Sequence, residues 1–325
     1  MGLIARRALT ALLCALPAAR GPRAQDAFPG RPIRLISPFA PGGAIDVLNR
    51  LIAEQLAARL GQPVVVDARP GANTIVGAEA LARSAPDGHT IMITTSSTML
   101  NNPALFRDLP YDPARDFSPI SLLSMGTVLL AAPSRLPFAD LAGGIAWIRA
   151  QGRPVTYGSW GVGSGGHLFG ELLKRRNELQ LEHIPYRGEQ AAIADVLAGR
   201  LDMTFASPVG ARPQIEAGAL RGIAQLGERR SPALPDVPTF GEQGQPGFDL
   251  PIFVAAYAPA GTPPAVVARW QTALAQVLAE GAVRERLLAQ GQTPVASSPE
   301  ELAAIQRRDL PRWAELIRLS GARVE

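Results

Sequence analysis

Apolar side chains in the first hundred residues follow two different periods. Residues 33–39, 64–66 and 90–95 are short runs with apolar side chains at most positions, which predicts buried strands. Between the first two runs the apolar side chains recur every three or four positions, which predicts a helix over residues 44–60; its buried face would hold Ile45, Leu48, Ile52, Leu56 and Leu60. A second helix is expected after residues 71–77. This β-α-β-α-β order predicts a parallel sheet covered by helices.

The second half of the chain repeats this alternation after a long apolar run. We interpret residues 120–132 as a crossing into a second lobe and residues 252–258 as the return crossing. About 300 residues remain after the N-terminal segment described below, and this is more than one ordinary core holds. The sequence therefore predicts two lobes. Residues 27–125 and 255–325 would form the first lobe, and residues 126–254 the second.

The first 26 residues have the composition of a secretory signal peptide. Arg6 and Arg7 precede an apolar run over residues 8–19, and small residues follow near position 24. The run is shorter than the roughly 20 residues that span a bilayer. We expect export to the periplasm, and the arginine pair leaves both the Sec and the twin-arginine route open. Cys14 is the chain's one cysteine and lies in this segment, so we expect no disulfide and no lipid anchor in the processed protein.

Removal of this segment changes the charge of the protein. The full chain has 32 Lys and Arg residues against 28 Asp and Glu residues, a formal net charge of +4. Residues 1–24 contain four arginines and no acid, so a chain cut after residue 24 would have a net charge of zero. The basic balance of the full chain is therefore no argument for a nucleic-acid partner, and we expect none.

A unit of strand, glycine-rich turn and helix start occurs at residues 38–43, 71–74 and 158–166. Helix N-termini leave N–H groups unpaired and carry partial positive charge, so such turns bind anions without a basic side chain. Micromolar affinity requires about −8 kcal/mol, and a helix dipole supplies only about 0.3–1 kcal/mol. Hydrogen bonds to a carboxylate, about 1.5–3 kcal/mol each, must supply most of the rest. Candidate donors near these turns are Asn73, Thr74, Thr95, Ser96, Ser159 and Ser164.

Catalytic chemistry has little support in the sequence. The three histidines have no metal-ligand spacing, and no G-x-S-x-G motif surrounds Ser159 or Ser164, so we expect no metal and no catalysis. The stretch from Gly161 to Gly166 fits the dinucleotide pattern G-x-G-x-x-G, with Glu182 as a candidate ribose ligand. An NAD(P)-dependent oxidoreductase is therefore the alternative function, although export disfavours it and we expect no cofactor.

Several candidate side chains also have an ordinary structural interpretation. His167 is interpreted as a capping or packing residue, and Asp46 as a partner of the dipole of the first helix. Trp160 is expected to pack rather than to contact ligand. Arg187 could face either solvent or a ligand carboxylate, and the sequence favours neither.

Eight segments, in order along nearly the whole processed chain, resemble the Bug-type receptors, the solute-binding proteins of tripartite tricarboxylate transporters. They are residues 38–46, 69–77, 86–90, 111–117, 158–168, 185–188, 234–239 and 258–263. The resemblance implies a type II periplasmic-binding-protein fold, in which two α/β lobes are joined by two crossing strands and a cleft between them closes on an organic acid or an amino acid.

Carried onto this chain, the resemblance and the turns above give one set of expected ligand-binding residues. It comprises Phe39, Gly42, Gly43, Ala44, Asp46, Asn73, Thr74, Thr95, Ser96, Ser97, Ser159, Gly163, Ser164, His167, Arg187, Ser207 and Pro208. The chain departs from the family at Asn73 and Thr74, where a glycine-rich pair is common, and at Arg187, where lysine is common. Ligand class is predicted, but ligand identity is not.

The expected function is capture of a small carboxylate and its delivery to integral-membrane transporter subunits. We expect a monomeric receptor without catalysis. A subunit that presents its ligand to a sensor kinase would share the same cleft, so the sequence leaves that alternative open.

Overall fold

The computed structural model describes residues 28–186 and 188–321, so the predicted signal peptide and Arg187 lie outside the described residues. The strands, in chain order, are β1 Ile33–Ser37, β2 Val64–Ala68, β3 Thr90–Thr95, β4 Phe117–Gly126, β5 Leu129–Pro133, β6 Val155–Ser159, β7 Leu181–Pro185, β8 Met203–Ala206, β9 Leu220–Gln225, β10 Ile252–Pro259 and β11 Thr293–Pro294. The α-helices are α1 Ala44–Leu60, α2 Ile75–Ala82, α3 Asn102–Leu105, α4 Leu141–Ala150, α5 Gly165–Arg176, α6 Glu189–Leu197, α7 Pro208–Glu216, α8 Pro264–Ala279, α9 Gly281–Ala289 and α10 Pro299–Ser320.

In the described part of the chain the strands form two sheets. The first sheet has the order β11-β4-β10-β3-β1-β2, and the second has the order β7-β6-β8-β5-β9. Strand β1 runs parallel to β2 and β3, as the alternating sequence pattern predicts. Strand β10 is antiparallel to both β3 and β4, so the first sheet is mixed, with β1, β2 and β3 as its parallel part. The reason is that the chain leaves this sheet along β4 and returns along β10 in the opposite direction.

The crossing between the sheets is shorter than the apolar run that predicts it. Residues 120–132 divide into the end of β4 in the first sheet and β5 in the second sheet, with only Thr127 and Val128 between the two strands. The return from β9 to β10 passes through residues 226–251. Although this stretch is rich in proline and glycine, Phe240 and Phe248 within it are almost fully buried and stack on each other. Two connections therefore join the sheets, which is the arrangement expected for a two-lobed receptor.

The local sequence determines which face of helix α1 is buried and where the helix ends. Leu48, Ile52 and Leu56 of the predicted apolar face are fully buried. The helix ends where Gly61 adopts φ 66°, a left-handed conformation in which a residue with a side chain is strained. Because β1 runs straight into the turn that begins this helix, the N-terminus of α1 lies at the carboxyl end of the sheet, where ligands of open α/β folds collect.

Helix α10 joins elements of both sheets. It packs against α5, which follows a strand of the second sheet, and against a π-helical turn at Ser97–Asn101, which follows β3 of the first. Trp313 of α10 is 1% exposed and meets Phe169 of α5 edge to face, with ring centroids 5.6 Å apart. The C-terminal helix therefore forms part of the floor between the two sheets.

Among the described residues, no helix combines the length and the apolar character that a bilayer crossing requires.

Candidate functional site

The loops that follow β1, β2, β3 and β6 meet at a cavity of about 350 Å³ between the two sheets. Its described wall consists of Phe39, Asn73, Thr74, Thr95, Ser96, Ser97, Asn101, Val128, Trp160, Val162, Gly163, Ser164, Gly165, Ile252 and Trp313. None of these described residues carries a formal charge. An anion in this cavity would therefore be held by hydrogen bonds and dipoles of the wall rather than by an ion pair.

About half of the expected ligand-binding residues belong to this wall. They are Phe39, Asn73, Thr74, Thr95, Ser96, Ser97, Gly163 and Ser164. Trp160, which the sequence assigns to packing, is also a wall residue. The structure thus brings together residues from four loops that are separate in the chain.

An ion pair between Asp46 and Arg50 stabilises the turn before α1. Gly42 N–H donates to Asp46 Oδ2 at 3.0 Å, and Arg50 Nε donates to the same oxygen at 2.8 Å. The hydrogen bond from Arg50 is the main reason that the pKa of the buried Asp46 carboxyl is lowered, with a smaller contribution from Gly42. Asp46 therefore stabilises this turn, and its role in ligand binding stays a prediction. Gly42 and Gly43 are exposed and are not in the described wall of the cavity, and Ala44 begins the helix.

No side chain caps the N-terminus of α1. The N-cap residue is Gly43, which has no side-chain acceptor for the free N–H groups of the first turn. Helices α4, α5 and α7 differ, because their N-cap residues Asp140, Ser164 and Ser207 each accept a hydrogen bond from the backbone three positions later. The N-terminus of α1 therefore keeps main-chain donors that the fold itself does not use.

Three successive residues before α2 adopt left-handed backbone conformations. The φ angles are 44° at Ala72, 49° at Asn73 and 76° at Thr74. Each costs about 1–2 kcal/mol for a residue other than glycine, and the cost is greatest for the β-branched threonine. The sequence predicts a simple helix start here, so the strained turn is a correction. Strain of this kind is concentrated at functional sites and persists only where the surroundings enforce it.

A buried polar network enforces this turn. Asn102 Nδ2 donates to Asn73 O at 2.8 Å, and Asn73 Nδ2 donates back to Asn102 Oδ1 at 2.7 Å. Thr74 Oγ1 lies 2.8 Å from Thr98 Oγ1. Tyr111 closes the network, because its hydroxyl donates to Thr98 O at 2.6 Å and accepts from Asn102 Nδ2 at 3.1 Å. Sequence reasoning missed this network, since its members come from three separate segments.

The hydroxyls at the end of β3 and just after it form no hydrogen bond with other described residues. The side chains of Thr95, Ser96 and Ser97 make no hydrogen bond within the described part of the chain, although Ser96 is only 3% exposed. Their neighbours Thr94 and Thr98 are different, because their hydroxyls lie 2.6 Å apart and bond to each other. A run of available hydroxyls thus faces the cavity from the first sheet.

The glycine-rich loop after β6 uses its polar groups internally. Ser164 Oγ accepts from His167 N at 3.3 Å and donates to Ser159 Oγ at 3.1 Å, and Ser159 Oγ lies 2.7 Å from His183 Nε2. Gly163 N–H donates to His167 Nδ1 at 3.1 Å. Ser159 and His167 therefore hold the loop in place from behind and are not in the described wall.

The two histidines behind this loop stack with ring centroids 4.1 Å apart. Burial, with a smaller contribution from the neighbouring His167, lowers the pKa of His183 to about 4. The pKa of His167 is also lowered, mainly by burial. Both rings are therefore neutral near pH 7 and serve as hydrogen-bonding groups rather than as a positive charge for a ligand.

Ser207 and Pro208 do not reach the described wall of the cavity. Glu189 occupies the N-terminus of α7, because its carboxylate accepts from Ser207 N at 2.7 Å and from Ser207 Oγ at 2.8 Å. Pro208 lies against Gly291, where an added Cβ would come within 2.8 Å of the proline ring. An internal carboxylate thus occupies donors at the N-terminus of α7, and the role of Ser207 and Pro208 in ligand binding stays a prediction. Arg187 is outside the described residues and stays a prediction.

The dinucleotide interpretation fits the geometry poorly. The loop between Gly161 and Gly166 does join a strand to a helix. However, Glu182 pairs in register with Thr156 near the start of β6, whereas the loop follows the end of that strand. A carboxylate that binds the ribose would have to lie at the loop end of the sheet.

Six wall residues besides Trp160 are not among the expected ligand-binding residues. They are Asn101, Val128, Val162, Gly165, Ile252 and Trp313. The predicted turn at residues 158–166 contains Val162 and Gly165, and the predicted crossings contain Val128 and Ile252. These four residues could therefore have been included in the expected set. Trp313 has no such signal, because it lies on an ordinary amphipathic helix near the C-terminus.

A larger hollow of about 570 Å³ lies beside the crossing segments, near Thr127. Its wall includes Arg230 and Arg308, and each of these forms an ion pair with a neighbouring acid. None of the expected ligand-binding residues lies in that wall, so we place the candidate site at the smaller cavity.

Comparison with known proteins gives one consistent family. The sequence model of the tripartite tricarboxylate transporter family receptor matches residues 48–321. Protein BugT of Bordetella pertussis is 34% identical over 305 residues, which cover 94% of this chain and 94% of BugT.

Two solved structures are similar over their full length. The periplasmic binding protein BugD is 30% identical, with a TM-score of 0.74, and the match covers 92% of this chain and 100% of that chain. The R. palustris protein Rpa4515, solved with adipate, is 32% identical, with a TM-score of 0.77, and the match covers 91% of this chain and 100% of that chain. These similarities confirm the two-lobed periplasmic-binding fold.

Proposed function

The chain belongs to the family of tripartite tricarboxylate transporter receptors, and from this premise we propose that it captures a small carboxylate in the cavity between its two sheets. Receptors of this kind bind solutes, so no catalytic step is assigned. Because BugD is a periplasmic binding protein, we infer that this chain also works in the periplasm, which the predicted export signal supports. The adipate bound to Rpa4515 supports an organic acid as the ligand class.

The observation that carries this proposal is the set of unused donors on the first sheet's side of the cavity. The hydroxyls of Thr95, Ser96 and Ser97 have no partner in the described residues, and the nearby N-terminus of α1 has no side-chain cap. Each of these donors is available to form a hydrogen bond with a ligand that enters the cavity. A carboxylate, which only accepts hydrogen bonds, is the complementary ligand group.

Energies of this size suffice for a useful receptor. Hydrogen bonds to a charged group contribute about 1.5–3 kcal/mol each, and micromolar affinity needs about 8 kcal/mol in total. Three hydroxyl donors with one or two main-chain donors from α1 reach that value without a basic side chain. Phe39, Trp160 and Ile252 would cover the apolar part of the ligand.

We propose that ligand binding draws the two sheets together. The connecting residues near Thr127 are few, and the wall takes residues from the loops of both sheets. A ligand that contacts both loops stabilises the closed arrangement by its differential affinity. The closed form would then be the state that integral-membrane transporter subunits recognise. The monomeric state and a sensor kinase as an alternative partner stay predictions, which affinity capture with a closed, ligand-bound receptor would test.

A melting-shift screen of organic acids and amino acids tests the proposed function. A ligand at one hundred times its dissociation constant stabilises the folded state by about 2.7 kcal/mol, which raises the melting temperature by about 5 °C in a protein of this size. We expect such a shift with at least one carboxylate at millimolar concentration. The absence of a shift with every carboxylate, or a shift with NAD or NADP, would contradict the proposal.

A further inference from the structure

Two buried polar groups in the cavity wall have no hydrogen-bond partner among the described residues. They are the side-chain oxygen of Asn101, a residue that is 2% exposed, and the indole N–H of Trp313, a residue that is 1% exposed. Both residues belong to the wall, and they come from elements in direct contact, since α10 packs against the π-helical turn that ends at Asn101. They therefore share the wall near the floor that α10 forms.

The fold pairs the equivalent groups of two other buried residues. Asn102 is fully buried directly beside Asn101, and its side-chain oxygen accepts from Asn73 Nδ2 at 2.7 Å. Trp270 is as buried as Trp313, and its Nε1 donates to Gly88 O at 3.0 Å. The asparagine and the tryptophan that face the cavity are thus the unpaired members of two matched pairs. An unpaired buried polar group costs about 1–3 kcal/mol. This arrangement therefore favours a ligand that forms hydrogen bonds with both side chains.

The chemistry of the two side chains narrows the partner group. The indole nitrogen of Trp313 only donates, whereas the side-chain oxygen of Asn101 accepts. A hydroxyl satisfies both at once, because its oxygen accepts from the indole and its hydrogen is donated to the amide. A carboxylate cannot donate, and no described wall residue would neutralise a second negative charge at this depth.

We propose that Asn101 and Trp313 form an inner subsite that binds an uncharged hydroxyl of the ligand and selects hydroxylated monocarboxylates over acids with a second carboxylate at that position. This inference rests on the proposed function, because the ligand's carboxylate is held by the hydroxyls of residues 95–97 while its hydroxyl reaches the inner subsite. Asn101 and Trp313 are specificity-determining residues in this account.

Titration calorimetry with the processed full-length protein and matched acids tests the subsite. The probes are pairs that differ by one hydroxyl: propionate and lactate, butanoate and 4-hydroxybutanoate, hexanoate and 6-hydroxyhexanoate, and benzoate and 4-hydroxybenzoate. Succinate, adipate and terephthalate supply a second carboxylate instead. In at least one pair we expect the hydroxylated acid to bind about tenfold more tightly than its partner and than the corresponding diacid, as two neutral hydrogen bonds allow.

Variants separate the subsite from general packing. Trp313→Phe keeps a ring against Phe169, and Asn101→Leu keeps the side-chain volume. In either variant the preference for the hydroxylated acid over its unhydroxylated partner should fall to about twofold or less. Trp270→Phe is the matched control, because it removes a buried indole whose N–H is already paired, and it should keep the tenfold preference.

The outcomes distinguish this inference from the proposed function. Carboxylate binding without a hydroxyl preference, a stronger preference for the diacids, or a preference that survives in Trp313→Phe and Asn101→Leu would overturn the inner subsite alone. Binding of no acid in the whole panel would overturn the proposed function and the subsite together. Asn101→Leu gives an independent result if Trp313→Phe does not fold, since Asn101 has no partner in the described residues that its replacement would strand.

Discussion

The two sides of the cavity contain similar residues but use them differently. On the first sheet's side, the hydroxyls of residues 95–97 have no hydrogen-bond partner among the described residues, and the N-terminus of α1 has no side-chain cap. On the second sheet's side, Ser164 caps α5, and the histidine pair behind the loop binds Ser159 and Gly163. Glycine-rich turns before helices thus have two roles here. One turn leaves donors for a ligand, whereas the other fixes a wall that a ligand contacts mainly by shape.

The largest effect should follow from removal of the unused hydroxyls. We expect the triple variant Thr95→Val, Ser96→Ala and Ser97→Ala to lose at least about 100-fold in affinity for any carboxylate that binds the wild type, since two or three charge-assisted hydrogen bonds disappear. Because these hydroxyls have no internal partner, the melting temperature of the ligand-free protein should change little. Calorimetry and a melting curve measure both. Thr272→Val, at an exposed position of α8, is the control. An equal loss of carboxylate affinity in this control would contradict the assignment.

The strained turn gives the next largest effect. Asn102→Ala should lower the free energy of unfolding by about 2–4 kcal/mol, because it removes bonds to Asn73 and Tyr111 from a buried network. The neighbouring Asn101→Ala should cost less than about 1 kcal/mol, since Asn101 has no partner in the described residues. Urea denaturation compares the two variants. Equal destabilisation would show that the network does not hold the turn.

The histidine pair should make stability depend on pH. The folded pKa of His183 is about 4, below its ordinary value of about 6.5, so the unfolded chain takes up a proton first as the pH falls. Stability is therefore complete above about pH 6.5 and declines between pH 6.5 and pH 4, by about 1–2 kcal/mol from pH 7 to pH 5. His183→Gln should flatten this decline in denaturation curves measured across the range. An unchanged slope would contradict the assignment to His183.

The smallest effect should come from the capped helix of the second sheet. Ser164→Ala removes the acceptor for His167 N–H and should cost about 1 kcal/mol of stability. Carboxylate affinity should stay within about threefold, because the Ser164 hydroxyl is already committed to Ser159. A loss of binding as large as that of the triple variant would mean that the two sides of the cavity are equivalent after all.

Local sequence signals predict the elements that position the site. The apolar face of α1, the strands before each glycine-rich turn and the two crossings follow from periodicity, because Leu48, Ile52 and Leu56 can be buried together only in a helix. Thr95 to Ser97 are predictable as wall residues, since they lie at the carboxyl end of the buried strand β3 and just after it, where ligands of open α/β folds collect.

The remaining features depend on contacts between distant segments. The antiparallel β10 is set by the direction in which the chain returns from the second sheet. The left-handed turn at Ala72 to Thr74 depends on Asn102 and Tyr111, about 30–40 residues away in the chain, so local propensity favours a helix start instead. Trp313 lies in the cavity wall because α10 packs against elements of both sheets. No pattern in the sequence predicts where this helix packs.

A crystal structure of the protein with a carboxylate identified in the melting-shift screen tests the assignment of the cavity most directly. The account predicts a ligand carboxylate within hydrogen-bond distance of the hydroxyls at Thr95, Ser96 and Ser97, between the two sheets. A carboxylate bound in the larger hollow near Arg230 and Arg308, or held only by the loop after β6, would contradict it.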